Sequence, residues 1–288
     1  MTTLIVGASG LMARPVIERL LEAGAGFRAL SSNARSAERL RAAGCPDVVT
    51  GDLRDGDDMA RVTQDVRTVL YVPPVFMADE ADIARRFIAT AAASGVEKFV
   101  FLSVLHPQMT GMHHHHQKLL IEEAVIESGM RFAILQPAML MQNLRREWRQ
   151  VVDHGILARP YRTDLSMAVV DADDVGEAAF IALTTGRLDG GVFELCGDAL
   201  TTRDMAAILA DELGRPVEAR ESAIEDWEKG ARAGGFDDTG IEIGRKMLRH
   251  YQRHGLPGGT PLVLSAILGR APNDYRTFVR HYAAEQAR

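Results

Sequence analysis

The sequence has only two cysteines in 288 residues, Cys45 and Cys196. They lie far apart with no C-x-x-C partner, so two reduced, partly buried thiols are expected, with a single disulfide allowed by the count alone. No apolar run approaches the roughly 20 residues needed to span a bilayer. The N-terminus passes from Met1-Thr-Thr straight into an apolar segment, without the basic and apolar regions of a secretory signal, so the cytoplasm is the expected compartment and no membrane is expected as a partner. A basic excess is also missing. The formal net charge is -6 and the pI about 5.9, with lysines and arginines scattered, which argues against a nucleic-acid surface. Repeats and low-complexity linkers are lacking.

What is present is an ordinary globular composition, 47% hydrophobic and 25% charged, arranged as short apolar runs alternating with amphipathic helical stretches. Strands are predicted at Thr3–Val6, Gly26–Leu30, Asp47–Val49, Val69–Val72, Lys98–Leu102 and Arg131–Leu135. Helices are predicted at Leu11–Ala23, Ala34–Ala43, Ala81–Ala93 and His114–Ser128. That alternation implies right-handed βαβ crossovers and a doubly wound parallel sheet, an α/β fold of Rossmann type. Past Pro137 the rhythm breaks. Helices are predicted at Gln142–Asp153, Asp173–Thr184 and Thr202–Leu213, with extended segments at Ser166–Val170 and Gly191–Leu195. Residues 1–137 are therefore expected to form the sheet domain, with 166–198 returning to it, and 138–165 with 199–288 a smaller, mostly helical substrate lobe.

Between the first strand and the first helix stands Gly7-Ala8-Ser9-Gly10-Leu11-Met12-Ala13. In this pattern Gly7 permits a tight turn, Gly10 lets the backbone approach a diphosphate, and the small Ala13 lets helix and strand pack closely. Free N–H groups at the helix start favour the negative charge. Gly7, Ser9, Gly10, Leu11 and Met12 are thus candidate contacts to a dinucleotide. At the end of the second strand, where an acid would take a ribose 2′-hydroxyl, there is no acid between Glu22 and Glu38. Ser31, Ser32 and Arg35 stand there instead, with Arg14 as a second candidate cation, and they suit a 2′-phosphate. NADP(H) is expected over NAD(H).

These residues and several later ones resemble the NmrA-like branch of the atypical short-chain dehydrogenases/reductases. The matching marks are the Gly7–Ala13 loop, Arg28-Ala29-Leu30, Gly51-Asp52-Leu53, and Gly95-Val96-Glu97-Lys98-Phe99-Val100 leading to Ser103-Val104. They continue with His114-x-x-x-Lys118-x-x-x-Glu122, Gln136-Pro137, Gln142-Asn143-Leu144, Asp173-Asp174-Val175 and Leu268-Gly269-Arg270-Ala271-Pro272. The resemblance implies a two-lobe fold with a cleft between the lobes. It implies that Asp52 and Leu53 lie by the adenine, that Val72, Pro73 and Pro74 line the cofactor, and that Pro137 lies near the nicotinamide. It also implies two function classes, since the family holds true reductases and non-catalytic NADP-sensing regulators.

Short-chain dehydrogenases generally use Tyr-x-x-x-Lys, but His114 stands four residues before Lys118. That spacing puts both on one helix face. Lys118 is expected to bond the nicotinamide ribose, His114 to donate a proton as an imidazole titrating near neutrality, and Ser103 to add a hydrogen bond. The run His113–His116 fans around a helix, with no carboxylate or thiol at metal spacing, so no metal is expected. His113, Met109, Met139, Met141 and Asn143 are candidate substrate contacts, since methionines adapt to flat ligands. The expected activity is NADPH-dependent hydride transfer to a small electrophilic, aromatic or quinone-like molecule. The alternatives are an NADP(H)-sensing regulator that docks a partner protein and, more weakly, isomerase or epimerase chemistry. A homodimer is compatible with the sequence.

Overall fold

The computed structural model describes residues 2–74 and 76–287. The first half alternates strands and helices as expected: β1 (Thr2–Val6), α1 (Arg14–Glu22), β2 (Phe27–Ser31), α2 (Ala34–Ala42), β3 (Asp47–Thr50), α3 (Gly56–Thr63), β4 (Val66–Tyr71), α4 (Glu80–Ala93), β5 (Lys98–Leu102), α5 (His113–Glu127) and β6 (Arg131–Pro137). The second half runs β7 (Met139–Leu140), a 3-10 turn at Met141–Asn143, α6 (Leu144–His154), β8 (Ile156–Arg159), β9 (Met167–Val170), α7 (Ala172–Thr184), β10 (Gly191–Leu195) and β11 (Asp198–Leu200). It then continues with α8 (Thr202–Leu213), β12 (Glu218–Glu221), α9 (Ile224–Ala233), α10 (Asp238–His254), α11 (Pro261–Leu268) and α12 (Tyr275–Gln286).

Seven strands form one parallel sheet in the order β10-β6-β5-β4-β1-β2-β3. Side chains alternate across it with the period of two that a strand imposes. Ile5, Ala29, Leu70, Val100 and Leu135 enter one core, which α1 and α7 cover with Val16, Leu20, Val175 and Ala178. Leu4, Val6, Val69, Tyr71, Phe99 and Phe101 enter the other, covered by α3, α4 and α5 through Met59, Phe87, Ile121 and Val125. Both faces are buried, which is why these strands read as continuous apolar runs. The connections reverse between β1 and β4, and an open α/β sheet binds its ligands beside that reversal, at the carboxyl ends of the strands.

Two expectations change. The first helix begins at Arg14, not Leu11, because Pro15 occupies its first turn and residues 8–13 stay in turns. Of the stretch 166–198, only β10 joins the main sheet. It takes the edge beside β6, so β9 pairs instead with β7 and β11 in a separate three-stranded sheet. Helix α3 was not anticipated from the sequence; Asp55 caps it by accepting from the N–H groups of Asp57 and Asp58. The last segment is fastened by Asp174, fully buried on α7, which accepts from Arg270 at 2.7 Å and from the Asn273 N–H at 2.6 Å.

Candidate active site

The loop after β1 is shaped by contact with β4. Gly7 has φ +73°, and a Cβ there would lie 2.2 Å from the Val72 carbonyl oxygen, so only glycine fits. Within the turn the Gly10 N–H reaches the Gly7 oxygen at 2.9 Å. The main-chain N–H groups of Ser9, Leu11 and Met12 have no partner among the described residues. Donors left open in the loop leading into α1 suit an anion, with the helix dipole adding to their pull. Gly10 has an ordinary φ, and a Cβ there would meet only the Gly7 oxygen at 3.0 Å, so its openness serves the space above the loop, not the turn. These features fit a dinucleotide diphosphate.

At the end of β2, Ser31 is buried and its hydroxyl donates to the Asn33 carbonyl at 2.9 Å, while Asn33 caps α2 by accepting from the Ser36 N–H. Ser32 and Arg35 are exposed beside it. No carboxylate lies within ion-pair reach of Arg35 among the described residues, whereas Arg14 pairs with Glu18 at 2.8 Å. Arg35 is the freer cation. Asp52 is exposed after β3 and accepts from the Arg54 N–H at 2.9 Å, with Leu53 half-buried beside it. Val72 and Pro73 are buried at the end of β4, Pro74 is exposed, and Pro137 is buried at the end of β6.

Helix α5 presents His114, Lys118 and Glu122 at steps of four, hence on one face, and all three are buried. Each is engaged differently. The Lys118 ammonium donates to Glu80, at the start of α4, whose side chain is only 2% exposed. Burial holds the Glu80 carboxyl above its usual range despite the adjoining ammonium, and its Oε2 has no donor among the described residues. Glu122 accepts from the Ser103 hydroxyl and from Gln136 Nε2 at 2.9 and 3.0 Å, which ties the helix to the ends of β5 and β6. Burial raises this carboxyl too. The Ser103 hydroxyl thus donates its hydrogen bond to the neighbouring Glu122, so its expected role as a donor to substrate does not follow from this arrangement.

His114 lies edge-on to Phe76, with ring centroids 5.6 Å apart. Burial first, then the fields of His115, Lys118 and His113, push its pKa well below 6.5. The ring is neutral at physiological pH, which corrects the reading of an imidazole titrating near neutrality. His115 is completely buried, donates through Nδ1 to the His106 carbonyl at 2.9 Å, and titrates at about 4, chiefly through burial. His113 is half-buried beside an open hollow of about 380 Å³ shared with Ala78, Asp238, Glu242 and Lys246. Among the described residues no three His, Cys, Asp or Glu side chains gather as metal ligands.

The methionines divide. Met109 and Met139 are half-buried, and the Met139 sulfur lies 3.9 Å from both Tyr161 Oη and Arg159 Nη1. Met141 is 2% exposed and packs in the core. Asn143 is half-buried ahead of α6 and makes no cap bond. Sequence reasoning missed Glu80, Phe76 and the buried pair Arg159–Glu147, 2.9 Å apart. Glu80 stands 38 residues from Lys118 and shares no local spacing with it. Phe76 carries no sequence signal either; its φ of +61°, unusual for an aromatic residue, is visible only in the structure.

Residues 1–242 match the model of the NmrA-like family. The NAD(P)H azoreductase of Xenophilus azovorans is 25% identical over 98% of each chain. The (4-alkanoyl-5-oxo-2,5-dihydrofuran-3-yl)methyl phosphate reductase of Streptomyces griseus is 32% identical over 77% of each. Among solved structures, the NADPH-dependent quinone oxidoreductase of Escherichia coli in complex with NADPH superposes with a TM-score of 0.82 at 23% identity, covering 98% of this chain and all of that one. With the matched family model spanning most of its length and the glycine loop shaped as above, the chain belongs to the NmrA-like family.

Proposed function

We propose that the protein is an NADPH-dependent reductase of a small, conjugated acceptor of aromatic or quinone type. The observation that carries this reading is the loop of open N–H donors after β1, joined at the end of β2 by an unpaired Arg35 and no acid. The relatives' names, reductases of azo, quinone and conjugated oxo compounds, support it.

When bound, a reduced nicotinamide supplies hydride to the substrate. The loop residues Ser9 to Met12 hold the diphosphate, and Ser32 with Arg35 holds the 2′-phosphate. Lys118 fixes the nicotinamide half, while Met109, Met139 and His113 contact the substrate. With His114 neutral and the Ser103 hydroxyl donating its hydrogen bond to Glu122, neither residue is poised as a strong acid to protonate a product. Such a site suits acceptors that spread negative charge over conjugated oxygens or nitrogens and take their proton from solvent. It suits an isolated ketone poorly, because an alkoxide needs a proton as it forms.

Purified protein mixed with NADPH should consume it when offered quinones or azo compounds, and should leave simple aliphatic ketones untouched. No turnover across such a panel, with NADPH and NADP⁺ shifting thermal stability differently, would instead favour a sensor that docks a partner protein.

A further inference from the structure

The geometry points to Glu80 as a cofactor-binding residue: its carboxylate accepts a hydroxyl of the nicotinamide ribose and holds the Lys118 ammonium toward the same sugar. The inference rests on the dinucleotide reading above. Glu80 opens α4, after β4, and Lys118 lies in α5, after β5. These are adjacent parallel strands, and β4 is the neighbour of β1 on the side away from β2. A dinucleotide with its diphosphate over β1 and its 2′-phosphate at β2 must carry its other half across β4 and β5. The pair lies on that path.

The carboxylate itself shows an unmet need. One oxygen takes Lys118 and the other, Oε2, is buried with no donor among the described residues. The neighbouring main-chain donor is not available, because the Ala81 N–H is accepted by Gln117 Oε1 at 2.9 Å. A buried acceptor left unpaired costs about 1–3 kcal/mol, and more for a charged group. A protein tolerates that where a ligand completes the set. A ribose hydroxyl supplies both halves of the match: its O–H donates to Oε2, and its oxygen accepts from a second N–H of Lys118. Were the pair only a tether between α4 and α5, Oε2 would gain nothing from a cofactor.

Two ligands separate these roles in the full chain: NADPH, and adenosine 2′,5′-bisphosphate, which lacks the nicotinamide ribose. Calorimetric titration of Glu80→Gln should show NADPH weakened roughly ten- to a hundredfold, the loss of a charge-assisted bond. Affinity for the bisphosphate should stay unchanged. Equal weakening of both ligands, or of neither, overturns the assignment. Should Glu80→Gln not fold, the wild-type chain titrated with NADPH analogues lacking a nicotinamide-ribose hydroxyl gives the same answer: one of them must bind more weakly, and full affinity for each analogue refutes the contact. A wild-type chain that binds neither NADPH nor the bisphosphate refutes the dinucleotide reading itself, an outcome distinct from the others.

Discussion

Two glycines three residues apart should fail in opposite ways. Gly7 is held at φ +73° with the Val72 carbonyl 2.2 Å from where a Cβ would be. Gly7→Ala therefore carries a left-handed backbone penalty of about 1–3 kcal/mol. A second cost of about 1–3 kcal/mol follows from moving β4 away to relieve the overlap. Together these predict a loss of about 2–6 kcal/mol in urea unfolding, with no cofactor present. At Gly10 the φ is ordinary and the only neighbour is the Gly7 oxygen at 3.0 Å. Gly10→Val should cost no more than about 1 kcal/mol, a typical surface-to-intermediate change, yet it places a branched side chain over the open N–H donors. NADPH binding by calorimetry should then fall below detection while the unfolding transition stays cooperative. If Gly7→Ala unfolds within about 0.5 kcal/mol of the wild type, the contact with Val72 is not what shapes the loop. If Gly10→Val binds NADPH unchanged, the loop is a turn and not a diphosphate site.

Arg35→Ala should weaken NADPH roughly ten- to a hundredfold and leave NADH nearly unaffected; an unchanged preference measured by competitive titration would place the 2′-phosphate elsewhere. His115 titrates at about 4 when folded against about 6.5 unfolded, so the unfolded chain binds its proton first as pH falls. Its contribution to stability is complete above pH 6.5 and is lost between there and 4, about 3 kcal/mol in all. His115→Gln should flatten urea-derived stability over that window, and a wild-type slope retained by the variant would assign the acid sensitivity to other groups. The raised carboxyls of Glu80 and Glu122 act with the opposite sign, gaining stability as pH falls toward 4.5, so the comparison must be made between variant and wild type. His114→Phe should leave turnover of a quinone within a few-fold, because a neutral imidazole is a poor acid; a loss in the range of about 10²–10⁴ would restore it as the proton donor.

Much of this protein was determined by local sequence. The alternation of apolar runs with amphipathic stretches dictated the parallel sheet, since strands buried on both faces leave that pattern wherever they occur. Gly7 and the missing acid after β2 are the basis on which a phosphate loop and an NADP(H) preference are proposed, because turn geometry and charge act over a few neighbouring residues. Spacing by four put His114 and Lys118 on one face, and the structure adds Glu122 to it. Their partners were another matter. That Lys118 meets Glu80, that the Ser103 hydroxyl donates to Glu122, and that His114 is dry enough to stay neutral all depend on which helices the sheet brings together. The same holds for β9, whose apolar sequence suits either sheet and which went to the smaller one because β10 had taken the edge beside β6. Burial and pairing set protonation, and neither is a property of a residue and its near neighbours; both arise only when distant segments close around it.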